Sequence, residues 1–194
     1  TQNKIEVKDV CFDYVDKKSS FAALDHINLS IKEGEFICIL GSSGCGKSTL
    51  LGLLNGLNKA KSGKILLDGK PIAGPGPDRA VVFQQYSLFP WLTAKGNILF
   101  GIKQSGKKYS KKEREEKAEE YLRSVGLAAA RDKYPSQLSG GMKQRVAVAR
   151  ALALESDVLL LDEPFGAIDP KLRLELQELV SSLCTTHKKT VVFV

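Results

Sequence analysis

Apolar residues alternate with polar ones at Ile5-Glu6-Val7 and again at Ile27, Leu29 and Ile31. This period of two predicts half-buried antiparallel strands joined by the polar turn Asp16-Lys17-Lys18-Ser19-Ser20. The pattern then changes. Phe36-Ile37-Cys38-Ile39-Leu40 is a continuous apolar run between Gly34 and Gly41, which predicts a buried strand. Leu50, Leu53, Leu54 and Leu57 follow at helical spacing, as do Leu172, Leu176, Leu179, Val180 and Leu183 near the far end. Val81-Val82-Phe83, Val158-Leu159-Leu160-Leu161 and Thr190-Val191-Val192-Phe193-Val194 read as further core strands.

Between the core strands lies a helical insert, placed at about 86–136. Within it, Ser110 and Glu113 have capping-box spacing, Glu113 and Lys117 lie one turn apart, and Tyr121, Leu122 and Val125 form a narrow apolar stripe. This predicts a helix with a solvated outer face. Trp91, in the Pro90-Trp91-Leu92 segment, is expected to serve packing rather than chemistry.

The chemistry sits at the ends of these elements. Gly41-Ser42-Ser43-Gly44-Cys45-Gly46-Lys47-Ser48 follows the Phe36 strand and precedes a helix, in the order of a phosphate-binding loop. Its glycines let successive N–H groups point inward, Lys47 adds charge for the β- and γ-phosphates, and Ser48 offers a hydroxyl to Mg²⁺. Thr49 completes the stretch expected to hold nucleotide. The Val158 strand ends in Asp162-Glu163-Pro164. Successive residues on a strand face opposite ways, so Asp162 is expected to meet the Mg²⁺ shell and Glu163 the attacking water.

A second glycine-rich stretch is Leu138-Ser139-Gly140-Gly141-Met142-Lys143-Gln144-Arg145. With the two motifs above, it resembles the signature of the ABC-type ATPases, the motor subunits of ATP-driven transporters, and the resemblance covers nearly the whole chain. It implies an α/β fold: a P-loop NTPase core with a RecA-like, mostly parallel sheet, an N-terminal antiparallel β subdomain and an inserted α-helical subdomain. In those terms 1–85 and 137–194 form the ATP-binding core and about 86–136 the helical subdomain. The resemblance also makes Tyr14 the aromatic that stacks on adenine and Gln84 the glutamine linking Mg²⁺ and water to a transmembrane partner. Phe165-Gly166-Ala167-Ile168-Asp169 matches the loop after the catalytic acid. Ser139, Gly140 and Gly141 would cap a helix running through Arg145 and Ala149, its positive end facing a γ-phosphate on a second subunit. The implied cofactors are ATP and Mg²⁺, and the implied work-producing step is closure of a head-to-tail dimer.

Gly74-Pro75-Gly76-Pro77-Asp78-Arg79 and Leu88-Phe89-Pro90-Trp91-Leu92-Thr93 are similar to segments of bacterial importers of the nitrate, sulfonate and taurine type. Such subunits pair with a permease and an external solute-binding protein. Relatives commonly place serine at Gly166, leucine at Ile168 and an acid at Gly96, and they carry a threonine-histidine-aspartate segment after the Thr190 strand. The switch histidine is absent and neither His26 nor His187 replaces it, so a truncated or partly covered chain is expected, binding MgATP but hydrolysing it weakly. Rival readings are a soluble ATPase of this type in DNA repair or translation and a nucleotide-gated interaction module. The lack of a coiled-coil insertion or a duplicated domain disfavours the former, and Glu163 the latter.

Composition adds constraints. A chain of 194 residues with 43% hydrophobic content suits one domain, and no apolar stretch approaches the roughly 20 residues needed to cross a bilayer. A cytoplasmic protein, peripheral on the inner face of the membrane, is expected. Cys11, Cys38, Cys45 and Cys184 lack C-x-x-C spacing and histidine neighbours, which supports neither disulfides nor zinc. The thiol of Cys45 is expected to be reactive within its electropositive loop. The +7 charge is interleaved with acids, so no nucleic-acid partner is expected.

Overall fold

The computed structural model describes residues 3–16, 19–83, 87–165 and 170–194. The alternating N-terminal segments form β1 (Asn3–Asp16) and β2 (Ser19–Lys32), paired antiparallel with Ile5 opposite Ile31 and Val7 opposite Leu29. With β4 (Ser62–Leu67) and β5 (Lys70–Pro71) they make a four-stranded antiparallel sheet in the order β2-β1-β4-β5. A second sheet is parallel, in the order β3-β8-β7-β6, from β3 (Phe36–Cys38), β6 (Arg79–Val82), β7 (Val158–Leu161) and β8 (Thr190–Phe193).

Strand β7 explains why Val158-Leu159-Leu160-Leu161 is apolar throughout. Val158 and Leu160 join a cluster with Ile5, Val7 and Ile31 of the antiparallel sheet and with Leu50, Leu51, Leu53 and Leu54 of α1 (Lys47–Asn55). Leu159 and Leu161 face the other way, into a cluster with the helices α2 (Ala94–Gln104), α3 (Lys111–Ser124), α4 (Gly140–Ala153) and α5 (Pro170–Thr186). Strands covered on both faces lose the period-two signal. Each fully buried leucine contributes about 2 kcal/mol through burial alone.

Two sequence expectations are corrected here. Phe36–Leu40 is not a buried strand: β3 is the edge of the parallel sheet, with Phe36 41% and Leu40 90% exposed. Leu57 is 58% exposed and lies beyond α1, because Gly56 adopts a left-handed φ of 79° and ends the helix before a fourth apolar turn forms.

The helical segment follows its local signals. Ser110 accepts from the Glu113 N–H while Glu113 accepts from that of Ser110, and Tyr121, Leu122 and Val125 are buried. The ion pair of Lys117, however, is with Glu155, at 2.7 Å. Helices α2 and α4 pack closely because Gly101 lacks a side chain: a Cβ there would lie 2.5 Å from the Arg150 carbonyl oxygen.

Candidate functional site

The loop after β3 turns on Gly44 and Gly46, whose φ values of 80° and 100° suit glycine alone. A Cβ on Gly46 would also sit 2.7 Å from the Ala23 carbonyl oxygen, so the loop lies flush against β2. Gly46 caps α1 without a side-chain hydrogen bond. The first N–H groups of α1 are therefore left for an external acceptor, at the positive end of the helix dipole. Residues 41–45 and Ser48 are exposed.

Lys47 folds over this loop, its Nζ donating to the carbonyls of Gly41 at 3.0 Å and Ser42 at 2.8 Å. The Ser48 hydroxyl donates to Asp162 Oδ1 at 2.8 Å. Asp162 is in turn held by its own N–H, which donates to the Val82 carbonyl at 2.9 Å. The two side chains expected to share a cation are thus adjacent. Thr49, 7% exposed, hydrogen-bonds the Tyr14 hydroxyl at 3.0 Å. The Tyr14 ring is half exposed and rests edge-on against Phe12 at 5.0 Å, which leaves it a free face near the start of α1.

Asp162 and Glu163 do look into different spaces. Asp162 borders a cavity of about 180 Å³ with Ser48, Val81 and Phe83, whereas Glu163 borders one of about 210 Å³ with Phe165, Arg173, Gln177 and Phe193. The cause differs from the expected strand alternation. Strand β7 ends at Leu161, and Glu163 is turned by its own left-handed φ of 42°, held by its N–H donating to Val194 O at 3.0 Å.

The second glycine-rich stretch forms the predicted helix start. Ser139 Oγ accepts from the Met142 N–H at 3.3 Å and opens α4. Ser139 and Gly140 are exposed, while Gly141 is buried against α5, where a Cβ would lie 2.5 Å from Leu172. Among the described residues no hydrogen bond or ion pair joins Ser139–Gly141 to the loop at 41–49 or to Asp162. Gln84 and Gly166–Asp169 lie outside the described residues.

Trp91 corrects another expectation. It is 70% exposed, beside Phe89 at 5.5 Å, which in turn contacts Phe100 at 4.6 Å and the Arg150 guanidinium at 5.3 Å. Sequence reading missed the residue that shapes this turn. Fully buried Asn97 accepts from the Phe89 N–H and donates to the carbonyls of Phe89, Leu92 and Thr93. A lone amide in a helical pattern carries no such signal.

Comparison with known proteins agrees with this geometry. Residues 24–166 match the family described as ABC transporter. The nitrate import ATP-binding protein of Synechococcus elongatus is 49% identical over 91% of this chain and 65% of its own length. A bicarbonate transport ATP-binding protein of the same organism is 46% identical over 97% of this chain and 68% of its own. The chain thus spans about two thirds of these relatives, and slightly less of the first. Among solved structures, the dimeric post-hydrolysis state of an ATP-binding cassette bound to ADP and Pi has 36% identity and a TM-score of 0.86, covering 98% of this chain and 87% of that one. A component of an ABC transporter complex from Clostridium perfringens has 32% identity and a TM-score of 0.87, covering 100% and 78%. The chain belongs to the ABC transporter family, and its α/β architecture is that of the ATP-binding cassettes.

Proposed function

We propose that this member of the ABC transporter family is the ATP-binding and ATP-hydrolysing subunit of a bacterial importer of small solutes of the nitrate, sulfonate or taurine type. The observation that carries the reading is the Ser48–Asp162 hydrogen bond beside an uncapped helix start and a lysine folded over the glycine loop. A relative's role in nitrate import supports the solute class.

The loop N–H groups receive the phosphates with little rearrangement because the backbone is already turned, and Lys47 Nζ exchanges the Gly41 and Ser42 carbonyls for phosphate oxygens. The Ser48 hydroxyl and the Asp162 carboxylate are hard oxygen donors that fit Mg²⁺. Bound there, the ion would neutralise charge on the β- and γ-phosphates. Tyr14 offers its open ring face to the base. Glu163, turned away from Asp162, orients the attacking water and accepts its proton, and Gln84 links that water to the permease.

Among the described residues the exposed Ser139 helix tip makes no hydrogen bond or ion pair with the same chain's loop, which supports a site completed by a second copy, each tip facing the other's γ-phosphate. In this arrangement 86–136 acts as a helical subdomain that meets the permease, and an external solute-binding protein delivers cargo. No described helix is long and apolar enough to cross a membrane. We place the subunit on the inner face of the membrane, attached through its permease, with no role for nucleic acid.

The test is MgATP-dependent phosphate release by the protein assembled with its permease, measured beside Lys47→Ala. Equal release by the two proteins would remove the basis for the reading.

A further inference from the structure

Strands β1 and β2 lose register around Val10, with irregularities between Val7 and Val10 and between Val10 and Phe12. Two non-glycine residues in this region, Asp9 on β1 and His26 on β2, have left-handed φ values of 52° and 48°. Such a conformation is strained for a residue with a side chain. Bulges of this kind re-aim side chains. Here they gather Cys11, Asp25 and His26 on one surface, with one donor atom from each lying within 4.8 Å of the others.

The donors form an ordered set. Asp9 Oδ1 bonds His26 Nδ1 at 2.6 Å, which fixes the ring and leaves Nε2 facing Asp25 Oδ1 at 3.7 Å. Cys11 Sγ lies 3.8 Å from the same Oδ1, and the His26 backbone N–H donates to that sulfur at 3.3 Å. Asn28 ties the two bulges together, accepting from the Asp9 N–H and donating to the His26 carbonyl. A tetrahedral Zn²⁺ with ordinary bond lengths separates its sulfur and oxygen ligands by about 3.5 Å and its nitrogen and oxygen ligands by about 3.4 Å. The observed separations exceed these by a few tenths of an ångström, both end on Asp25 Oδ1, and the Asp25 side chain is exposed enough to close that gap.

We propose that Cys11, Asp25 and His26 form a binding site for a divalent transition metal of the zinc class, with Asp9 as the carboxylate that orients the histidine. Thiolate and imidazole ligands select against Mg²⁺ and Ca²⁺, so the site is chemically separate from Ser48 and Asp162. A histidine whose second nitrogen is held by a carboxylate is the usual supporting arrangement for zinc. Three protein ligands leave a fourth position to water. The ion would clip β1 to β2 three residues before Tyr14, stiffening the ribbon that carries this aromatic.

The test uses chelator-treated protein titrated with Co²⁺ and Zn²⁺. One equivalent of Co²⁺ should produce a thiolate-to-cobalt charge-transfer band, abolished by Cys11→Ser at the half-buried thiol and retained in Cys38→Ser and Cys45→Ser, the two exposed ones. Zn²⁺ affinity should fall at least about 100-fold in Cys11→Ser and about 10- to 100-fold in Asp9→Asn. Zn²⁺ should also raise the Tm of the parent and leave that of His26→Ala unchanged, with metal-free Tm values reporting that each variant folds. No cobalt band in the parent, a band that survives Cys11→Ser, or one lost with Cys38 or Cys45 instead, overturns the site.

Discussion

Ser48 and Asp162 are 114 residues apart in the chain and 2.8 Å apart in space, joined hydroxyl to carboxylate. The strands that lead to them, β3 and β7, are not neighbours, because β8 lies between. The contact therefore bridges over the end of an intervening strand, which places both oxygens above the carboxyl edge of the parallel sheet. Ligands of open α/β sheets collect at that edge.

Removing the acid should separate metal dependence from nucleotide affinity. In Asp162→Asn, calorimetry with ATP and excess EDTA should match the parent, while the gain on adding Mg²⁺ should shrink by at least about 10-fold, or ~1.4 kcal/mol. An equal loss with and without Mg²⁺ would assign Asp162 to folding rather than to the metal.

Lys47 and Glu163 should fail differently. Lys47→Ala removes the charge proposed to meet the phosphates and is expected to weaken ATP binding at least about 10-fold. If Glu163 is the proton acceptor as proposed, Glu163→Gln should slow phosphate release about 100-fold or more with binding intact. Sizing chromatography with MgATP should then show a dimer for Glu163→Gln and not for Lys47→Ala.

Asn97 organises the turn that displays Trp91. Asn97→Ala leaves the Phe89 N–H and the carbonyls it served without their partner, at a cost of about 2–3 kcal/mol. Denaturant unfolding should show that loss. Trp91 fluorescence should shift as the turn loosens.

Glu155 gives stability a pH dependence of defined sign. Burial would raise its pKa, but hydrogen bonds from Lys107, Lys117 and Tyr109 prevail and bring it down to about 2. Unfolded, the carboxyl titrates near its ordinary value of about 4.3. The native state is thus favoured fully above that value and loses the benefit as pH falls towards about 2. Glu155→Gln should be less stable than the parent at pH 7, with the difference shrinking through the acid range in urea melts.

What was legible in the sequence was mostly local. The Ser110–Glu113 capping box, the Ser139 cap and the glycine loop each depend on residues within a few positions, and each forms as expected. The exposure of Phe36 was hidden because it depends on sheet order, which places β3 at an edge. Histidine neighbours for Cys11 were also hidden, since Asp25 and His26 arrive from another strand through two bulges. Pro90-Trp91 marked a turn without saying which way the indole would face. Gly101 and Ala153, far apart in sequence, needed the α2–α4 contact before their burial made sense.

Because β7 is gripped from both sides, Val158 and Leu160 by one layer and Leu159 and Leu161 by the other, Asp162 sits at the tip of a beam clamped along its length. A disturbance of the leucines on one face or of the helices on the other would reach the carboxylate through the same strand, so the affinity of the proposed cation site should register strain in both layers that grip it.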